Sequence, residues 1–283
     1  MSKEKLTSSH TAGPLRKLQV QLKSDNLADY QLPVGEQLLP LNPLLGQKIT
    51  LHAMNKIQCI HCGRITKKSF NQGYCYPCFT RLAQCDLCIV KPELCHYHKG
   101  TCREPEWGEQ FCMQRHIVYL ANSSGVKVGI TRTSQIPVRW IDQGAIQALP
   151  IFNVASRQLS GFIEQIFRQE VSDKTNWRAL LKGDVQPVDL PAIRDQLFSH
   201  FTEQVQTLQN KYGIQAVQPL SNNDETDIHY PVNIYPVKIT SFNFDKTPAV
   251  SGILQGIKGQ YLILDTGVLN IRKFAGYHVE VTI

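Results

Sequence analysis

Residues 59–78 read CIHCGRITKKSFNQGYCYPC, two Cys-x-x-Cys pairs with twelve residues between them. Each pair can present two sulfurs to one tetrahedral ion, and four thiolates close a structural zinc site against water. Cys59, Cys62, Cys75 and Cys78 are therefore read as zinc ligands, with Gly63 and Gly73 supplying the permissive backbone that such turns need. Redox pairs and buried free thiols are the competing readings, and the spacing favours metal over both.

Working outward, all nine cysteines lie between Cys59 and Cys112. The stretch is too short of apolar periodicity to fold without such a staple. Cys85-x-x-Cys88 opens a second cluster, and its completing ligands must come from Cys95, His96, His98, Cys102 and Cys112. The reading favours Cys95 and Cys102, with His98 and Cys112 as substitutes, which makes about two structural zinc ions per chain. His61 and His116 are read as packing or hydrogen-bonding histidines. Between and around the first sulfurs lie Arg64, Lys67, Lys68, Phe70, Tyr74, Tyr76, Phe79 and Arg81, cations and rings that suit phosphate contact and base stacking. Tyr74 and Phe79 are assigned to the small core of the module, and Arg64, Lys67, Lys68 and the later Arg132 to nucleic-acid contact.

The composition is that of a folded chain: 283 residues with 42% hydrophobic content can bury a core. No apolar run approaches a membrane span, and the opening MSKEKLTSSH has no apolar signal region, so no membrane partner and a cytoplasmic location are expected. Nine thiols in a reducing compartment are read for metal before disulfides. The net charge of +7 is uneven. Residues 56–183 hold 17 Lys/Arg against 9 Asp/Glu, or +8, while the remainder holds 13 against 14, or −1. A local excess of that kind points to a polyanion.

Periodicity divides the chain into five segments and an α+β fold class. Residues 13–58 form an N-terminal β segment, with Leu18, Val20 and Leu22 alternating and then Ile49 and Leu51. Residues 59–114 are the zinc-binding module. In residues 115–183, HIVYLA (116–121), a turn at 122–125 and VKVGIT (126–131) predict a hairpin. A helix from about Pro137, a strand over 149–154 and a helix striped by Leu159, Phe162, Ile163, Ile166 and Phe167 follow, leaving Ser160, Glu164 and Arg168 on the helix edge. Residues 184–220 are helical, with one helix expected from Pro191 to Asn210, and 221–227 read as a polar linker. Residues 232–283 form a C-terminal β segment of four or five strands broken at Gly252, Gly256, Gly259, Gly267 and Gly276. With both ends β, they are expected to pair, as one small barrel.

Tyr119 in HIVYLA, Lys127-Val128-Gly129 in KVGIT, Arg139 and Glu164 resemble, in order and approximate spacing, the GIY-YIG nuclease superfamily, over about 60 residues (115–171). That resemblance implies a small antiparallel sheet with flanking helices that cuts phosphodiesters with Mg²⁺ or Mn²⁺. By the same carry-over Tyr119 orients or activates water, Arg139 clamps phosphate and Glu164 is the metal-binding carboxylate. Lys127 stands where the second motif usually has Tyr, so it either replaces the phenol as base or binds phosphate. The whole chain also resembles a proteobacterial family of unknown function, numbered 2797, through CIHCGRITKKSFNQGYCYPCF, CREPEWGEQFC, KVGITR, RWIDQGA, DKTNWR and GIKGQYLIL. Three readings stay open: a divalent-metal-dependent endonuclease or RNA-processing enzyme, a nucleic-acid binder with a silent core, and a zinc-stapled protein-interaction module. DNA and RNA are not separable at this level.

Overall fold

The computed structural model describes residues 10–172, 174 and 176–283. The chain divides into two compact units, residues 1–79 with 230–283, and residues 80–229. The division falls between Phe79 and Thr80, inside the Cys-rich stretch. Among the described residues no helix is long and apolar enough to cross a membrane.

In the first unit the two ends of the chain do pair. His10–Pro14 lies against Tyr277–Thr282, which lies against Lys48–Gln58, and the sheet continues through Ala249–Lys258, Tyr261–Leu264 and Gly267–Asn270, every neighbour antiparallel. Alternation explains the central strand: Ile49, Leu51 and Ala53 are buried while Lys48 and His52 are exposed. A second sheet of Gln19–Leu22, Ala28–Val34 and Gln37–Pro40 buries Tyr30 and Leu32. The buried amide of Gln260 accepts the Leu18 N–H at 2.8 Å and donates to the Leu18 carbonyl at 3.2 Å, so the start of the second sheet is held by the C-terminal segment.

The expected barrel does not close; the sheet is open. One reason is local. The outer edge of Gly267–Asn270 is already paired, with Phe242 N–H donating to Val268 O and Val268 N–H to Thr240 O, so no edge is left there to meet His10–Pro14. The tail has four strands, and Gly252 and Gly256 lie within one of them. A Cβ at Gly256 would meet Val232 at 2.7 Å, so this glycine permits close packing.

The second unit holds an antiparallel sheet in the order Val217–Pro219, Gln147–Val154, His116–Asn122, Val126–Arg132. The hairpin forms as its alternation predicts. The central strand is buried at all seven positions, which a strand covered on both faces requires. Helix Arg157–Phe167 is capped by Ser156, whose Oγ accepts the Leu159 N–H at 3.3 Å, and it buries Leu159, Ile163 and Phe167 on Val118, Leu120 and Phe152 of the sheet. The single helix expected over 191–210 is two, Leu190–His200 and Thr202–Tyr212. The Thr202 hydroxyl donates to the carbonyls of Phe198 and Ser199, competing with the helical ladder at the junction. The polar stretch 221–227 is no free linker either, because Thr226–Asp227 pairs with Gln147–Ala148.

Gly129 shows what the hairpin is built around. It lies opposite Tyr119, and a Cβ there would stand 2.7 Å from the Tyr119 ring carbon Cζ and its hydroxyl. Gly129→Ala should therefore cost ~1–3 kcal/mol, as overpacking of a filled core does. A denaturation midpoint equal to that of the wild type would contradict this packing.

Candidate functional site

Three constellations carry chemistry. The first is the thiol set of the N-terminal unit. Cys59 follows the strand Lys48–Gln58, and its knuckle is closed by Cys59 N–H to Arg64 O at 2.8 Å and Gly63 N–H to Cys59 O at 3.0 Å. Cys75 and Cys78 sit at the start of helix Tyr76–Arg81, and Ile60 N–H to Gly73 O at 2.8 Å joins the knuckles. The four sulfurs all lie within 4.8 Å of one another, with Cys62 and Cys75 at 3.7 Å. Zinc–sulfur bonds of about 2.3 Å in a tetrahedron put the sulfurs about 3.8 Å apart, so the set fits one zinc ion. Burial raises the Cys59 thiol, but the backbone N–H groups of Cys62, Cys75 and His61 outweigh it and bring the value down to about 6. Burial pushes the Cys78 thiol well above the usual range, and the surrounding sulfurs add to this. Four thiolates so close need a cation.

Arg64, Lys67 and Lys68 are exposed around these knuckles. Lys68 lies 5.3 Å from the centre of the Phe70 ring, which stacks on Phe79 and meets Tyr76 edge-on. Tyr76 is 59% exposed. Phe79 is partly buried in this aromatic group, and Tyr76 is the ring that faces solvent.

The second constellation is the remaining cysteines. A small cavity is walled by Cys88, Cys95, Cys102 and Cys112 together with Ile89 and Trp107. Cys112, which the spacing held in reserve, is on that wall; Cys85, which it ranked as a ligand, is buried but not part of it. His96 also borders the cavity, and its ring bonds the Thr101 hydroxyl at 2.8 Å and approaches Asp86, whose carboxylate takes Arg103 at 2.6 Å. Burial pushes the Cys88 thiol up to about 12, reinforced by Asp86 and Cys95. Cys112 is raised to about 11, chiefly by burial, against the pull of Arg157 and Arg132. The Arg132 guanidinium lies 4.8 Å from the Phe111 ring centre and is half-buried.

The third constellation is in the antiparallel core. Tyr119 is fully buried; its hydroxyl donates to Gln143 Oε1 at 2.9 Å, and its ring meets Trp140 edge-on at 6.0 Å. Burial raises the phenol above its ordinary value, the adjacent Arg139 guanidinium draws it down, and Glu164 pushes it up. Tyr119, Arg139 and Glu164 thus come together from one strand and two helices. The register puts Lys127 two residues from Gly129 and so on the same sheet face as Tyr119, where it is 3% exposed. Arg139 and Glu164 are both partly exposed. Two participants carried no assignment in the sequence: Gln143, in the RWIDQGA phrase, and Arg157, whose place on the first turn of its helix gave no signal of the thiols nearby.

A family model matches residues 46–279, under the description "Protein of unknown function (DUF2797)". No curated protein matches. No solved structure matches.

Proposed function

The chain belongs to the DUF2797 family of proteins of unknown function, and from that footing we propose that it is a zinc-containing, nucleic-acid-binding protein with a GIY-YIG-like core that hydrolyses phosphodiesters. The observation that carries the reading is the Arg139 guanidinium on the Tyr119 hydroxyl, with the Glu164 carboxylate near enough for its charge to act on the same phenol. Glu164 would hold Mg²⁺ or Mn²⁺ through oxygen, and the metal would neutralise charge developing at phosphorus. Arg139 would clamp the scissile phosphate through two parallel N–H bonds. Tyr119, buried and bonded to Gln143, orients Arg139 rather than taking a proton. The test is incubation of the full chain with branched DNA, duplex DNA and structured RNA in Mg²⁺ or Mn²⁺. Cleavage that chelator abolishes supports the reading.

One observation favours a second reading, a binder with a silent core: Tyr119 and Lys127 are both buried, which leaves neither poised as a general base. Binding without cutting in those assays would decide for it. A reducing, cytoplasmic setting would suit both, since cysteines that hold metal must stay out of disulfides.

Nucleic acid would be gripped in part by Arg64, Lys67 and Lys68 beside the exposed Tyr76 ring. Affinity should then fall steeply with salt, and changing all three cations to Ala should lower the slope of log affinity on log salt by roughly 2 to 3 for duplex DNA, at about 0.9 per phosphate contact. An affinity that is flat from low to physiological salt would speak for a protein partner instead.

A further inference from the structure

The geometry points to a second zinc site of mixed ligands, Asp86 Oδ1, Cys88 Sγ and His96 Nε2, with the fourth position left to water, in place of the four thiolates that spacing alone expects. The inference is independent of the nuclease reading.

The two clusters differ in make-up. In the first, four sulfurs lie within 4.8 Å of one another; in the second, the donor atoms that do so are a carboxylate oxygen, a sulfur and an imidazole nitrogen. Asp86, Cys88 and His96 all line the small cavity that Cys95, Cys102 and Cys112 also border. Its volume of about 10 Å³ suits one ion or one water. The Cys102 sulfur is engaged elsewhere, on the Glu104 carbonyl at 3.5 Å. Asp86 and His96 keep 13% and 26% of their side chains exposed, so solvent reaches the fourth position.

The outer bonds select which atoms face the ion. The Thr101 hydroxyl donates to the His96 carbonyl at 3.4 Å, which makes His96 Nδ1 the donor in the 2.8 Å bond to the same hydroxyl oxygen and leaves Nε2 its lone pair. Asp86 Oδ2 takes Arg103 Nε at 2.6 Å, while Oδ1 faces His96. His96 Nε2 and Asp86 Oδ1 stand 3.6 Å apart, too far for a good hydrogen bond. Two ligands held at about 2.1 Å in a tetrahedron stand about 3.4 Å apart, so that separation suits a shared zinc ion. A nitrogen, an oxygen and a sulfur together are a set that zinc accepts.

Such an ion would have work to do. Between its ligands the chain forms only the single turns Leu87–Ile89 and Pro92–Leu94. Helix Arg157–Phe167, which carries Glu164, is seated on that segment. Arg157 Nη2 donates to Ile89 O at 2.6 Å and Gln158 Nε2 to Cys95 O at 2.9 Å, and a Cβ at Gly161 would stand 2.7 Å from Glu93 N. Zinc tying Asp86 and Cys88 to His96 would fix this seat.

The experiment is zinc analysis and zinc-edge X-ray absorption on the full chain, as purified and after zinc loading. The expected result is two zinc ions per chain. Five sulfurs shared between them give about 2.5 per ion, the other neighbours being nitrogen and oxygen with the outer scattering of an imidazole. His96→Ala should lose one zinc and bring the average to about four sulfurs. It should also speed hydrogen exchange across Arg157–Phe167 while the strands His116–Asn122 and Val126–Arg132 stay protected. An average near four sulfurs in the wild type, a measurement that needs no variant to fold, would overturn the proposal. So would one zinc per chain after loading, or a His96→Ala protein that keeps both ions.

Discussion

Glu164→Gln should abolish cleavage while leaving nucleic-acid affinity and thermal stability where they were. The substitution keeps size and hydrogen bonding and removes the anionic oxygen that would anchor a divalent ion next to Arg139 and Tyr119. Loss of an electrostatic anchor of that kind costs about 10²–10³-fold in rate, with the metal effect added to it. The proposed binding would rest on Arg64, Lys67 and Lys68, so the substrate Kd should be unchanged or lower once a carboxylate no longer faces phosphate. Single-turnover cleavage separates the two, because the effect falls on the chemical step. Arg139→Lys gives a partner measurement: it keeps the charge and loses the planar fork, so it should weaken both substrate positioning and rate. A Glu164→Gln protein that cuts at the wild-type rate would remove Glu164 from the chemistry. If it also loses no more than ~0.5 kcal/mol, its role is that of an ordinary surface carboxylate.

Cys59→Ser or Cys78→Ser should release the zinc of the first site and unfold residues 59–78. Binding of a structural zinc supplies about 10–16 kcal/mol in comparable small sites, several times what so short a segment could draw from its own packing. The apolar support is thin: Ile65 is 54% exposed and the strand Ile65–Thr66 has only two residues. Hydrogen exchange should show protection lost over 59–78, including the bond from Ile60 N–H to Gly73 O. The sheet built on Lys48–Gln58 should keep its protection, since Leu51 pairs with Val250 and Val281 independently of the metal. A strong chelator should reproduce the result in the wild type. Retained protection at Ile60 after zinc removal would mean that the knuckles stand on packing alone.

The legible parts of the sequence were those governed by short-range chemistry. A Cys-x-x-Cys turn is closed by bonds within a few residues, such as Gly63 N–H to Cys59 O, so the first thiol set could be read from spacing. The alternation of 116–121 and 126–131 and the 3.6-residue stripe of Leu159, Ile163 and Phe167 likewise gave the hairpin and its helix, because a strand or helix face is a local property. The break at Phe201 escaped the same reading. The apolar stripe runs on through it, and a single hydroxyl bonding backwards decides the junction.

What the amino-acid sequence determined by itself is the four-thiolate site, the basic and aromatic residues threaded through it, and the order of strands and helices that brings Tyr119, Arg139 and Glu164 onto neighbouring elements. Tertiary structure alone decided three things. It opened the terminal sheet by filling the Gly267–Asn270 edge with residues 240–242. It drew Cys112 rather than Cys85 onto the wall with Cys88, Cys95 and Cys102. It buried Tyr119 and Lys127 while leaving Arg139 and Glu164 partly exposed. Each of these depends on which segments distant in the chain come into contact, and periodicity and spacing record only what neighbouring residues do to one another.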